Sequence, residues 1–121
     1  MFRRARRPED QIQRALFQHI RMRGVPGLVA IHVPMGGFRK PVEAAIMKGL
    51  GAAKGTPDVL LWHAGKSYAL ELKAEGGRLT ESQADFLRKL ADAGTVTAVA
   101  HGIDYAIKQL EDWGLLRGHA S

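Results

Sequence analysis

At 121 residues the chain is long enough for one compact domain and too short for two. It contains no cysteine, which excludes disulfides, thiolate chemistry and cysteine-ligated zinc. The net charge of +6 is uneven: residues 1–55 hold eleven Lys or Arg against three Asp or Glu (+8), whereas residues 56–121 hold seven against nine (−2). This imbalance favours a polyanionic partner such as nucleic acid, the alternative being a soluble protein with a basic tail.

The predicted elements alternate between helices and strands. A first helix is predicted to begin at Pro8, because proline is favoured at the first helical position. Its apolar residues Ile12, Leu16 and Ile20 then recur at helical spacing. The elements that follow are a buried strand over 28–33, a short helix over 41–50, strands over 58–63 and 67–73, a helix from Thr80 to Gly94, a strand over 95–100 and a helix over 103–113. The order α-β-(α)-β-β-α-β-α predicts an α/β fold with a mixed sheet flanked by helices.

The chain is expected to form a basic arm over residues 1–7, a domain over 8–116 and a tail over 117–121. No apolar run reaches transmembrane length, and no apolar segment follows the N-terminal arginines as it would in a secretory signal. Together with the lack of cysteine, this predicts a cytoplasmic protein with no membrane partner.

A tight turn at Ala64-Gly65 would join the two central strands into a hairpin. Paired positions then sum to 129, so Asp58 lies opposite Glu71, at a Cβ separation of roughly 4.5–5.5 Å. Lys73 shares the face of Glu71, whereas the alternate residues of the strand, Tyr68 among them, belong to the core.

Two carboxylates so close together need a cation between them or a shared proton. Lys73 supplies one positive charge, and hard oxygen ligands favour Mg²⁺ or Mn²⁺ as a second cation. The alternative is a structural ion pair at a strand edge, so from these residues alone both an active site and an ion pair remain open.

Two more polar residues lie on helix faces that are expected to point towards the sheet. Glu9 lies in the apolar stripe of the first helix, although it could merely interact with the helix dipole. Gln83 shares a face with Leu87, although it also completes a capping box with Thr80. The five histidines show no ligand spacing and are predicted to be surface or packing residues: His19, His32, His63, His101 and His119.

The Pro57-Asp58 and Glu71-x-Lys73 pattern resembles the PD-(D/E)XK nuclease superfamily. A more specific resemblance, to the VRR-NUC (virus-type replication-repair nuclease) family, lies in the stretches "KGTPDVLLW", "YALELKAEGGRLTESQADFLRKLADAG" and "TVTAVAH". It covers about residues 8–112 and implies a restriction-endonuclease-like core. That family also occurs in phages, and its small stand-alone members resemble Holliday-junction resolvases.

The resemblance implies a role for each site residue. Asp58, Glu71 and the backbone carbonyl of Leu72 would bind Mg²⁺ or Mn²⁺, and Lys73 would orient or deprotonate the attacking water. Glu9 would hold a second metal or its water, and Gln83 would position Lys73 or the nucleophile. Products would carry 5′-phosphate and 3′-hydroxyl ends.

DNA, in particular a four-way junction, is the expected substrate of a homodimeric endonuclease. The candidate phosphate contacts are Arg3, Arg4, Arg6, Arg7, Arg39, Lys40, Lys54 and Arg78. The candidate dimer interface comprises residues 36–50, with Phe38, Ile46, Met47 and Leu50, and the last helix with Trp113, Leu115 and Leu116, although these residues could equally form an ordinary core. The alternatives are a DNA-binding module without catalysis, a nuclease that cuts flaps or linear DNA, and, less favoured, a sequence-specific restriction-type nuclease.

Overall fold

The computed structural model describes residues 8–34, 41–51 and 53–118. The described part of the chain forms eight elements in the predicted order. They are α1 (Pro8–Arg23), β1 (Val29–His32), α2 (Pro41–Gly49), β2 (Val59–His63), β3 (Lys66–Lys73), α3 (Glu81–Asp92), β4 (Val96–His101) and α4 (Ile103–Asp112). None of the described helices is long and apolar enough to span a bilayer.

The four strands form one mixed sheet in the order β1-β2-β3-β4. β2 pairs antiparallel with both neighbours, whereas β4 runs parallel to β3, with α3 as the crossover. The predicted hairpin register is confirmed, because Leu60 pairs with Ala69 and His63 with Lys66. Ala64 (φ 51°) and Gly65 (φ 80°) both adopt positive φ, as a type I′ turn requires, even though alanine is a poor residue for that turn.

The hydrophobic core lies on the sheet face that α1 and α4 cover. Its buried side chains are Leu16, Val59, Leu61, Tyr68, Leu70, Leu72, Ala100, Ala106, Ile107, Leu110, Leu115 and Leu116. The ring of Trp113 packs on that of Tyr68 at a centroid distance of 5.0 Å. Leu115 and Leu116 were predicted as candidate dimer contacts or as ordinary core residues, and the second alternative holds, because they are 0% and 5% exposed within their own chain.

The first strand differs from its prediction in burial. It was expected to be a buried strand, but Val29 and Ile31 are 54% and 45% exposed. The physical reason is the sheet face on which these side chains lie: Val29 pairs with Trp62, which is 41% exposed although β2 is a central strand, so this face is open near β1 among the described residues. An apolar run alone does not show which faces of a strand are covered.

Candidate active site

The hairpin brings Asp58 and Glu71 together at the N-terminal end of β2, away from the turn. Asp58 directly precedes Val59, whose partner is Leu70, so the register places Asp58 opposite Glu71. The Oδ2 atom of Asp58 accepts a hydrogen bond of 2.9 Å from the Leu72 N–H. The Asp58 carboxylate is thus held against the neighbouring strand rather than directed into solvent.

Glu71 is a buried carboxylate with one unpaired oxygen. The residue is 2% exposed, and its Oε2 atom accepts a 3.0 Å hydrogen bond from Gln83 Nε2. Its Oε1 atom is buried without any hydrogen-bond partner among the described residues. An unsatisfied carboxylate oxygen is costly to bury, so the geometry suits an additional cation or proton at Oε1.

The electrostatics of the pair reflect that cost. Burial, together with the charge of Asp58, raises the pKa of Glu71 from its ordinary 4.5 to about 8. Burial also raises the pKa of Asp58 above its ordinary 3.8, although the hydrogen bond from Leu72 N–H opposes this. The Nζ atom of Lys73 lies 3.7 Å from Glu71 Oε2, and this single cation leaves the pair short of full neutralisation.

Gln83 completes the predicted capping box, and its side chain also points at the sheet, where it contacts Glu71 rather than Lys73. Its backbone N–H donates to Thr80 Oγ1 (3.1 Å), and its side-chain Oε1 accepts from Thr80 N–H (2.9 Å), which completes the capping box. Its Nε2 atom remains available and donates to Glu71. The amide can do both because it carries a separate acceptor and donor.

Gly55 allows the loop before Asp58 to pack on the start of α3. Its φ is +84°, and a Cβ at this position would lie 2.3 Å from the backbone oxygen of Ser82. Any other residue would force the loop and the first turn of α3 apart. Gly55 therefore helps to hold Gln83 close to Glu71.

Glu9 contacts the C-terminal end of β3, the end that carries Glu71 and Lys73. Its Oε2 atom accepts a hydrogen bond of 3.2 Å from the N–H of Ala74, the residue after Lys73. This contact confirms that Glu9 points towards the sheet rather than interacting with the helix dipole alone. Within residues 8–34, 41–51 and 53–118, no three His, Asp or Glu side chains are close enough to form a metal cluster, so Glu9 does not join Asp58 and Glu71 in one.

Two histidines near the site were predicted to be surface or packing residues. His101 pairs with Lys73 across β3 and β4, and its Nε2 atom lies 2.9 Å from the carbonyl oxygen of Gly77. His32 Nδ1 lies 3.3 Å from the backbone oxygen of Asp58. The missing signal was strand pairing, because the sequence alone did not show that β4 lies parallel to β3.

The candidate phosphate contacts are only partly covered by the structure. Lys54 and Arg78 are exposed, in the loops that lead to Asp58 and to α3 respectively. The remaining candidates lie outside the described residues: Arg3, Arg4, Arg6, Arg7, Arg39 and Lys40.

The donor set fits a hard divalent cation. The oxygens available at the end of the hairpin are two carboxylates, one of them with a buried unpartnered atom, and backbone carbonyls. Oxygen ligands of this kind are those that Mg²⁺ and Mn²⁺ prefer; the sequence has no cysteine, and the part of the chain that the structure describes holds no metal-binding group of three His, Asp or Glu that would favour zinc.

A family model described as the VRR-NUC domain matches residues 7–104. The chain belongs to the VRR-NUC family. A solved structure titled "VRR_NUC domain protein" is similar over 91% of this chain and 90% of its own, with a TM-score of 0.74 and 22% sequence identity. That similarity confirms the predicted restriction-endonuclease-like fold. A comparison with curated proteins finds no match.

VRR-NUC domains are nucleases of the PD-(D/E)XK type, which generally depend on divalent metals. Asp58, Glu71 and Lys73 are the residues that the sequence predicts for that motif, and the hairpin register together with the Lys73–Glu71 contact brings them to one end of the sheet. The assignment of DNA as the polyanionic partner is consistent with the excess of positive charge in residues 1–55.

Proposed function

We propose that this VRR-NUC protein is a metal-dependent DNA endonuclease that hydrolyses phosphodiester bonds in branched DNA as a homodimer. The observation that carries the proposal is the buried, unpartnered Oε1 atom of Glu71 beside Asp58. An ion pair with Lys73 reaches only Oε2 of Glu71, so Oε1 needs a proton or a cation, and a divalent cation would satisfy it and neutralise Asp58 as well.

The metal would be Mg²⁺ or Mn²⁺, held by Asp58, Glu71 and the backbone carbonyl of Leu72. When bound, such an ion activates water and neutralises charge that grows on the phosphate. Hydrogen bonds orient the two proposed carboxylate ligands before a metal binds: Leu72 N–H donates to Asp58 Oδ2, and Gln83 Nε2 donates to Glu71 Oε2. Each bond uses only one oxygen of its carboxylate, and Glu71 Oε1 has no hydrogen-bond partner among the described residues.

Lys73 would hold and orient the attacking water. Its side chain is 14% exposed, so most of it is excluded from solvent, and its Nζ atom lies 3.7 Å from Glu71 Oε2. A positioned proton donor or acceptor of this kind contributes about 10²–10⁴-fold to a rate. Glu9 would support the same end of β3 through Ala74 N–H, next to Lys73.

The proposal that the substrate is branched DNA depends on the predicted dimer. Resolution of a four-way junction needs two matched cuts, which a two-fold dimer with two active sites supplies. Along α2 and its C-terminal end, Val42, Ile46 and Leu50 are exposed at intervals of four residues, so they form one apolar stripe. This stripe is the remaining candidate interface, whereas Phe38 and the side chain of Met47 lie outside the described residues.

The experiment compares cleavage of linear, flapped and four-way DNA with Mg²⁺, Mn²⁺, Ca²⁺ or EDTA, alongside light scattering. We expect cleavage with Mg²⁺ or Mn²⁺, little with Ca²⁺, none with EDTA, a preference for the junction, and a mass near twice 13.2 kDa. Cleavage that EDTA leaves unchanged would refute the proposed metal dependence. A monomer that cuts linear and four-way DNA equally would refute the junction and dimer assignments, and tight binding without cleavage would indicate the DNA-binding module instead.

Lys73→Ala tests the catalytic assignment against a matched ion pair. Lys108 forms a similar pair with Asp112 (3.4 Å), but on the exposed side of α4, across the sheet from the site. We expect Lys73→Ala to lower kcat by about 10²-fold or more and to retain metal binding, whereas Lys108→Ala should leave both unchanged. Full activity in Lys73→Ala would refute the role of Lys73.

A further inference from the structure

The loop between β3 and α3 (residues 74–80) has a defined backbone conformation. Gly77 N–H donates to Ala74 O (2.9 Å), and Gly76 has a φ of +80°, which is typical of a type II turn. A Cβ on Gly77 would lie 3.1 Å from Ala74 O. The turn connects Lys73, at the end of β3, to the capping residue Thr80.

Three separate elements hold this loop by hydrogen bonds. Glu9 on α1 accepts from Ala74 N–H, and Gln83 on α3 accepts from Thr80 N–H. The middle of the loop is held by His101, at the end of β4, through the carbonyl of Gly77. Since a carbonyl only accepts, His101 must carry its proton on Nε2 and donate it.

The position of His101 ties this bond to the nuclease site. In the parallel register His101 lies beside Lys73, so both side chains are on the sheet face that carries Glu71. The next residue along, Gly102, donates its N–H to the Lys73 carbonyl (2.9 Å). The end of β4 therefore holds both the strand that carries Lys73 and the loop that follows it.

The hydrogen bond from His101 to the Gly77 carbonyl stabilises mainly the loop itself. His101 is exposed and lies outside the hydrophobic core, and a solvent-exposed hydrogen bond contributes little to global stability because water competes for both partners. Its main effect is on the direction of the chain at Gly77. The residue that follows, Arg78, is exposed and is a candidate phosphate contact.

We propose that His101 is a positioning residue that orients Arg78 towards a DNA phosphate by holding the Gly77 carbonyl. This inference rests on the proposed function, because Arg78 needs a DNA substrate. His101 itself need not touch the DNA. The consequence is that His101 and Arg78 act as one unit in binding, so the loss of either should produce nearly the same defect.

The test measures the affinity of the full chain for a four-way junction in Ca²⁺, over a range of salt concentrations. Arg78→Ala should weaken binding and flatten the log–log salt slope by about 1, because one phosphate contact is lost. His101→Ala should weaken binding in the same way, and the double variant should bind no worse than Arg78→Ala alone. His101→Gln should bind nearly as well as the wild type, because its amide can still donate to the carbonyl.

A second measurement does not depend on DNA. Hydrogen exchange of the hydrogen-bonded amides of Gly77 and Thr80 should accelerate in His101→Ala. The matched control is His63→Ala, whose Nε2 atom lies 3.2 Å from the Pro26 carbonyl at the opposite end of the hairpin. It should leave exchange in the loop and the DNA affinity unchanged, with kcat unaffected.

Several results would overturn the inference. They are multiplying defects in the double variant, wild-type affinity in His101→Ala, a failure of His101→Gln to restore binding, or unchanged exchange in the loop. A different result would refute the proposed function: wild-type protein that binds the junction but does not cleave it with Mg²⁺ or Mn²⁺. The affinity and exchange results would still decide the role of His101.

Discussion

The substitution Glu71→Gln should stabilise the metal-free protein at alkaline pH. Glu71 is 2% exposed, and its pKa is raised from 4.5 to about 8 by burial and by Asp58. Between these two values the folded protein keeps a proton on Glu71 that the unfolded chain has released. Stability therefore falls as the pH rises through this window and levels off above it.

The magnitude follows from the width of that window. At about 1.36 kcal/mol for each pH unit, the interval from 4.5 to about 8 corresponds to roughly 5 kcal/mol of lost folding free energy. Glutamine has nearly the same shape and carries no charge, so the variant avoids this loss while its amide oxygen still accepts from Gln83. The two proteins should have similar free energies of unfolding near pH 5, and the variant should be more stable by several kcal/mol above about pH 8.

The assay is urea unfolding in EDTA, followed by tryptophan fluorescence across this pH range. Adding Mn²⁺ at 100 times its Kd should stabilise only the wild type, by about 2.7 kcal/mol, because only the wild type retains a full ligand set, so the difference between the two proteins above about pH 8 should narrow. The control is Glu75→Gln, which changes an exposed glutamate in the neighbouring loop and should shift neither curve. If Glu71→Gln instead destabilises the protein equally at every pH, Glu71 is an ordinary ion-pair partner of Lys73, and the reasoning is refuted.

Two further variants test the surroundings of the site. Gly55→Ala should lower the free energy of unfolding by about 2 kcal/mol or more, because its Cβ would overlap the Ser82 backbone, and Gly51→Ala, also at positive φ but in open space, should cost about 1 kcal/mol. Chemical denaturation measures both, and equal costs would contradict the close packing of Gly55 on α3. Deletion of residues 1–7 should flatten the salt dependence of DNA affinity by up to about 4 units of log–log slope, one for each arginine removed. An unchanged slope would show that this segment does not bind DNA.

The hairpin and its carboxylates could be predicted because their determinants are local. Strand alternation and a two-residue turn are enough to place Asp58 opposite Glu71, and one residue of slip would have moved Glu71 to the core face. The capping box was equally readable from Thr80 and Gln83. Each of these features depends on residues that are neighbours in the sequence or within one supersecondary unit.

The features that escaped prediction depend on distant parts of the chain. The exposure of β1 depends on which face of the sheet is covered, and the contact of His101 depends on the parallel pairing of β4 with β3. Leu115 and Leu116 resembled a free apolar surface, but they pack into the core after α4 ends. Apolar composition is the same in an interface and in a core, so only the tertiary arrangement separates the two.

The two interpretations of Gln83 were alternatives only as long as its amide was treated as one group. The capping box uses the backbone N–H and the side-chain oxygen, and this fixes the side chain in the rotamer that presents Nε2 to Glu71. That bond occupies Oε2 of Glu71 and leaves Oε1 without a partner. The same contacts that begin α3 therefore orient the carboxylate, so in this fold the start of the helix and the formation of the site depend on one residue.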